Sequence, residues 1–224
     1  MEIIHLLLSN PKVEICVYSF KESKKLKEFA FPSSIKFIGE GAFGGCSLLT
    51  SITIPSSVTS IENGAFSRCI ALFQIEIPPS VKKISDYTFY GCSSLVKVSL
   101  PSSLESIGIS SFEYCQSLMH IVLPPSVKSI NERAFSGCSS LTEVTLPDLL
   151  TVIKPYTFHG CSFLSKVSIP SSVTEIGNNA FEGCKSLKKL VIPSSVKNIG
   201  NNALPSFKKE ESNEAANDSK CTLF

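Results

Sequence analysis

The chain has 224 residues, 43% of them hydrophobic and 18% charged, with 21 Lys and Arg against 19 Asp and Glu for a net charge of +2. That apolar content supports a sizeable core and excludes a chain disordered throughout, while the near-balanced charge excludes a polybasic nucleic-acid binder. The absence of Trp beside 15 Phe and 9 Cys is unusual for an ordinary domain and points to an internal repeat.

The opening stretch, Met1-Glu2-Ile3-Ile4-His5-Leu6-Leu7-Leu8-Ser9, carries an acidic residue where a secretory signal carries positive charge, and its apolar run is brief. No signal peptide is expected from it. No uninterrupted apolar stretch in the sequence approaches the roughly 20 residues that cross a bilayer. Across residues 1–31 the apolar positions Ile15, Phe20, Leu26, Phe29 and Phe31 keep the spacing of the units that follow, without their Pro and Cys marks. This segment reads as a degenerate N-terminal cap over the open end of a stack.

From residue 32 the period is 23. It carries Pro32, Pro55, Pro78, Pro101, Pro124, Pro147, Pro170 and Pro193, then Phe43, Phe66, Phe89, Phe112, Phe135, Phe158 and Phe181, and also Cys46, Cys69, Cys92, Cys115, Cys138, Cys161 and Cys184. Seven complete units span 32–192, and a partial one spans 193–204, where Leu204 stands in the place of Phe. Within a unit, Val98 and Leu100 alternate with polar neighbours and predict a short half-buried strand. Pro101 then ends the ladder and opens a corner. A second short extended piece follows, with Leu104 and Ile107 inward, as Val58 and Ile61 or Val173 and Ile176 are elsewhere. A unit of this size cannot bury both strands alone, so like residues stack on like residues in a mainly β solenoid on the order of 35 Å long, with sheet along its face.

The run Ile54-Pro55-Ser56-Ser57-Val58-Thr59-Ser60-Ile61-Glu62-Asn63-Gly64-Ala65-Phe66-Ser67-Arg68-Cys69, with Leu72, Ile75 and Ile77 after it, resembles the BspA-like leucine-rich repeats over roughly residues 32–204. The resemblance implies a curved right-handed leucine-rich-repeat stack with few helices, working as a protein-binding scaffold. Members are described as surface proteins and adhesins. It implies no enzyme, and no ligand transfers with the motif.

Catalytic and metal chemistry find little support. There is no CxxC pair for a structural metal, so none is expected. Neighbouring ladder cysteines fall within disulfide reach, but stacked parallel side chains are poorly aimed at each other and seven is odd, which favours a buried reduced ladder. His5, His120 and His159 occupy unrelated register positions, and His159 lies near Cys161 only because Cys161 is its unit's ladder cysteine. No phosphate-cradling glycine loop occurs, so neither cofactor nor small-molecule substrate is expected.

Binding is expected on the outward strand positions. One column reads Ser51, Gln74, Lys97, His120, Glu143, Lys166, Lys189, and the other reads Thr53, Glu76, Ser99, Val122, Thr145, Ser168, Val191. The candidate contact residues are Met119, His120 and Val122 of one unit, with Lys97 and with Phe73 two units earlier. The partner expected is a protein. Scarce Arg and core-bound Phe argue against nucleic acid.

Residues 205–224 lose the period, read as a polar flexible linker, and end in Cys221-Thr222-Leu223-Phe224. This resembles a CaaX box for a prenyltransferase, with terminal Phe favouring geranylgeranylation of Cys221. The linker holds three Lys against four acidic residues, so no polybasic patch reinforces a single lipid. The combined expectation is a cytoplasmic scaffold attached to a membrane through a lipidated tail. The alternatives are a cell-surface adhesin, which sugar on the sequon at Asn217 would favour, or a soluble module with an unmodified tail.

Overall fold

The structure, a computed structural model, describes residues 14–205. His5 and Cys221 lie outside the described residues. The architecture is a β-solenoid of about seven turns, with no helix among the described residues. Each turn uses two extended segments. The longer ones are β1 (Glu28–Ala30), β3 (Ser51–Thr53), β5 (Gln74–Glu76), β7 (Lys97–Ser99), β10 (Glu143–Thr145) and β12 (Lys166–Ser168). The shorter ones are β2 (Phe37–Ile38), β4 (Ser60–Ile61), β6 (Lys83–Ile84), β8 (Ser106–Ile107), β9 (Ser129–Ile130), β11 (Val152–Ile153), β13 (Glu175–Ile176) and β14 (Asn198–Ile199).

All pairing is parallel and one repeat out of step, as in Gln74 opposite Lys97 and Ile84 opposite Ile107. That register places residue n against residue n + 23, so the chemical period becomes a set of buried columns. Each periodic Pro opens a tight turn closed three residues on, for example Val58 N–H to Pro55 O at 3.0 Å and Val127 N–H to Pro124 O at 3.1 Å. A third ladder runs through the Phe turns, where Phe43 N–H donates to Ala65 O at 2.8 Å and Phe112 N–H to Ala134 O at 2.9 Å.

The core is columnar. The periodic Phe rings are fully buried and stack face to face, with centroids 5.3–5.8 Å apart from Phe43 to Phe181. The N-terminal segment continues this geometry. Ile15 bridges Ile38, β1 pairs with β3, and Phe20 stacks on Phe43 at 5.2 Å while Phe29 and Phe31 close around the same ring edge-on. An aromatic plug thus covers the first ring of the column, which a turn lacking the Cys mark can still provide.

The long sheet departs from the unbroken one expected. Its strands form the pairs β1–β3, β5–β7 and β10–β12, with no ladder between β3 and β5, and the unit of His120 contributes only isolated bridges to Lys97 and Glu143. These two interruptions involve a strand that leads into a double proline, Pro78-Pro79 or Pro124-Pro125, and the ladder stops again after β12, where residues 189–191 ahead of the single Pro193 form no strand. The second proline of each pair restricts the first to an extended conformation and removes another donor at the corner.

Candidate functional site

On the long sheet, pleating sends Ile52, Ile75, Val98, Ile121 and Val144 inward and leaves the residues on either side of them facing out. Lys97 and His120 are bridged neighbours on adjacent turns, and Val122 projects from the same face two residues on. Val122 is 82% exposed, the highest value among the described large hydrophobic residues. Phe73 and Met119, 55% and 46% exposed, share a column just before the strands and stand two turns apart. Val96 fills the place between them and donates its N–H to Phe73 O at 2.9 Å. The five candidate residues therefore form one continuous area, with Val96 as a sixth member that the column reading passed over. The signal was present, since Val96 is one period from both Phe73 and Met119.

Polar contacts organise the rim. Thr142 Oγ1 donates to Met119 O at 3.3 Å and lies 3.3 Å from His120 Nδ1, a contact that holds the imidazole against the sheet. Toward the N-terminal end, where β3 and β5 do not pair, the face opens into a groove of about 470 Å³ lined by Ser51, Thr53, Gln74, Glu76, Pro79 and Lys97. The surface thus combines an apolar ridge with a polar groove, sharing Lys97 at their border.

Among the described residues the histidines and cysteines stay apart as reactive groups. His159 sits on the turn face with Nε2 3.6 Å from Glu182 Oε2, whereas Cys161 is buried in the core and donates its thiol to Phe135 O at 3.1 Å. The same bond recurs in every unit. Cys69, Cys92, Cys115, Cys138 and Cys184 donate to Phe43, Phe66, Phe89, Phe112 and Phe158 O at 3.1–3.2 Å, and Cys46 to Phe20 O at 3.1 Å. From Phe43 to Phe158 each Phe carbonyl also accepts the N–H of its own unit's Cys, as in Cys69 N–H to Phe66 O at 3.2 Å. Burial pushes these thiols up, Cys92 and Cys184 to about 12 and Cys69, Cys115, Cys138 and Cys161 strongly in the same direction. Cysteine fills this slot because it is compact, apolar and still a donor. No group of three or more His, Cys, Asp or Glu able to hold a metal ion occurs among the described residues.

The family described as BspA type leucine rich repeat region (6 copies) matches residues 13–138 and 82–211. Among solved structures, the T. pallidum leucine rich repeat protein TpLRR is 31% identical to this chain, with a TM-score of 0.55 and coverage of 78% of this chain and 71% of that one. A leucine rich cell surface protein from Faecalibacterium prausnitzii is 25% identical, with a TM-score of 0.49 and coverage of 87% of this chain and 63% of that one. No curated protein matches the chain.

Proposed function

Because the chain belongs to the BspA-type leucine-rich-repeat family, we propose that it is a non-enzymatic scaffold that holds a protein partner on the exposed face of its long sheet. The observation that carries this reading is the ridge formed by exposed Phe73, Met119 and Val122 with half-buried Val96, on a face whose outward strand columns are otherwise polar except for Val191. A buried core so regular has no need of these four side chains outside it. Desolvating them against a partner supplies the gain that the Ser, Thr and Lys positions around them do not. His120 and Lys97 then set orientation at the edge, as polar groups do around an apolar contact.

The double variant Met119→Ser with Val122→Ser tests it. Its melting temperature should stay within about 2 °C of the parent, since exposed substitutions change stability little. Binding to proteins retained by the immobilised parent chain from a cell extract should fall by about tenfold or more, the effect of losing a small apolar contact centre. Retention at the parent level removes the ridge from consideration.

The tail extends this reading to a place of action. Where Cys221-Thr222-Leu223-Phe224 closes the chain, prenylation of Cys221 tethers the scaffold to the cytosolic face of a membrane, and the tetrapeptide is the observation behind it. Expression in a eukaryotic cell should yield a C-terminal peptide carrying a prenyl mass, with the protein in the membrane fraction and Cys221→Ser in the soluble fraction. An unmodified Cys221 with both proteins fractionating alike overturns the tether. A glycan at Asn217 would instead put the binding face outside the cell.

A further inference from the structure

The Phe turns carry a second surface, on a different side of the solenoid from the long sheet. Every described residue with positive φ lies two places before or two places after a Phe-column position. Glycine or asparagine occupies many of these slots, as the left-handed conformation favours. Yet Tyr18, Arg68, Tyr87, Tyr114, Arg133 and Tyr156 stand there with φ of 56–60°. With Tyr90, they account for all five tyrosines and both arginines of the chain. Bulky side chains in this conformation are costly, and such outliers gather where function requires them.

At one end of this face the side chains surround a slot of about 330 Å³, near the lower limit for small-molecule sites. Tyr18, Gly41, Gly64 and Tyr87 follow one another in one column, so no side chain rises between the two tyrosines. The Tyr18 ring lies over Gly41, where a side chain on that residue would stand. Gly64 remains open, since a Cβ there would have only Ser67 Cβ within reach, at 3.8 Å. Tyr87 and Tyr90, packed edge to face at 6.1 Å, form the far wall.

The polar groups in the slot select the ligand. Two cations, Lys21 and Arg68, stand beside two carboxylates, Glu22 and Glu40, so the formal charges cancel and the slot favours neither an anion nor a cation. None of the four makes an ion pair among the described residues. Lys21 and Arg68 lie over the Tyr18 and Tyr90 rings at 4.4 and 5.9 Å, and Tyr18 Oη donates to Glu40 at 2.9 Å. Asn63 spends its side-chain oxygen on Asp86 N–H at 3.2 Å and keeps its amide hydrogens to donate. The floor offers no strand edge, because Gly41, Gly45 and Gly64 give their N–H groups to Asn63, Ser67 and Asp86 O of the next turn. A peptide therefore cannot add itself by main-chain pairing.

We infer that this slot binds a neutral saccharide, one or two pyranose rings long. Hydroxyls that both donate and accept match the mixture of cations, carboxylates and amide, and the C–H face of a pyranose packs on the tyrosine wall above glycine. This inference is independent of the long-sheet reading, since the two surfaces share no residue.

The test is titration with maltose, cellobiose, lactose and N,N′-diacetylchitobiose, followed by saturation-transfer difference NMR and by tyrosine emission, which no Trp masks. At least one sugar should bind saturably. Gly64→Tyr, which repeats the side chain and φ sign of Tyr87 in the same column, should still fold, with a melting temperature lower by about 2–8 °C for the left-handed side chain, and weaken that sugar by about tenfold or more. Tyr87→Ala should weaken it as well, and Met119→Ser with Val122→Ser should leave it unaltered. No saturable binding by any of the four sugars overturns the inference. So does binding indifferent to both Gly64→Tyr and Tyr87→Ala, or a slot that takes poly-L-glutamate or poly-L-lysine in preference to every sugar.

Discussion

Raising the pH from 8.5 to about 10.5 in reducing buffer is expected to unfold this protein, because its core holds a column of seven thiols that must remain protonated. An unfolded cysteine ionises near pH 8.5. The buried thiols resist ionisation, with Cys92 and Cys184 pushed up to about 12 and their neighbours raised in the same direction by burial. Between those limits the folded chain binds more protons than the unfolded one. Stability is therefore fully present below pH 8.5 and is lost as pH rises toward the folded values. At pH 10 each fully buried thiol removes about 2 kcal/mol, so the column removes on the order of 10 kcal/mol, comparable to the whole stability of a typical domain.

Urea titrations followed by circular dichroism at pH 7, 8.5 and 10 measure this directly. Cys115→Ala should lose about 1 kcal/mol at pH 7 for the hydrogen bond to Phe89 and part of the packing, yet fall less steeply with pH, by about 1.4 kcal/mol per unit. Iodoacetamide at pH 7.5 should reach Cys16 alone among the eight described cysteines until denaturant is added. Constant stability between pH 8.5 and 10.5 would show that the column tolerates charge and that the packing described above is wrong.

Phe112→Ala is expected to cost about 3–5 kcal/mol, the range for removing a buried aromatic side chain. The ring stacks on Phe89 at 5.3 Å and on Phe135 at 5.4 Å, so one substitution breaks two contacts at the middle of the column. In a linear stack the coupling between turns is a nearest-neighbour quantity. The variant should therefore unfold in two steps, with amide exchange protection lost first around the His120 unit, where the long sheet is already reduced to bridges. Phe112→Leu should cost only about 1–1.5 kcal/mol and keep a single transition, as leucine already serves in the Phe place at Leu204. A loss below about 1 kcal/mol for Phe112→Ala, with one sharp transition, would mean that the rings fill space without coupling the turns.

The two experiments probe columns whose legibility differed. Phe and Cys both repeat every 23 residues, so their stacking was readable, but only the ring's role followed from its type. The Cys role depends on a bond from a thiol to a carbonyl 26 residues earlier, and a carbonyl has no identity in a sequence. The ridge was half legible. Phe73, Met119 and Val122 stood out as apolar letters in polar columns, whereas Val96 was hidden in a column beside the strand that alternation alone does not define. The tyrosines and arginines at the Phe turns were countable beforehand, yet nothing in their letters says that they share one face.

By itself the sequence determined the period, the unit anatomy, the parallel one-repeat register and the buried columns. Stacking identical units makes residues 23 apart into neighbours, so a one-dimensional recurrence becomes a three-dimensional contact. Only the tertiary structure decided where the long sheet breaks, which apolar side chains join across turns, and how the thiols are satisfied. It also decided that the left-handed turn positions gather tyrosine, arginine and open glycine around one slot. Those features depend on backbone φ and on main-chain donors and acceptors, which every residue type shares and which packing alone directs.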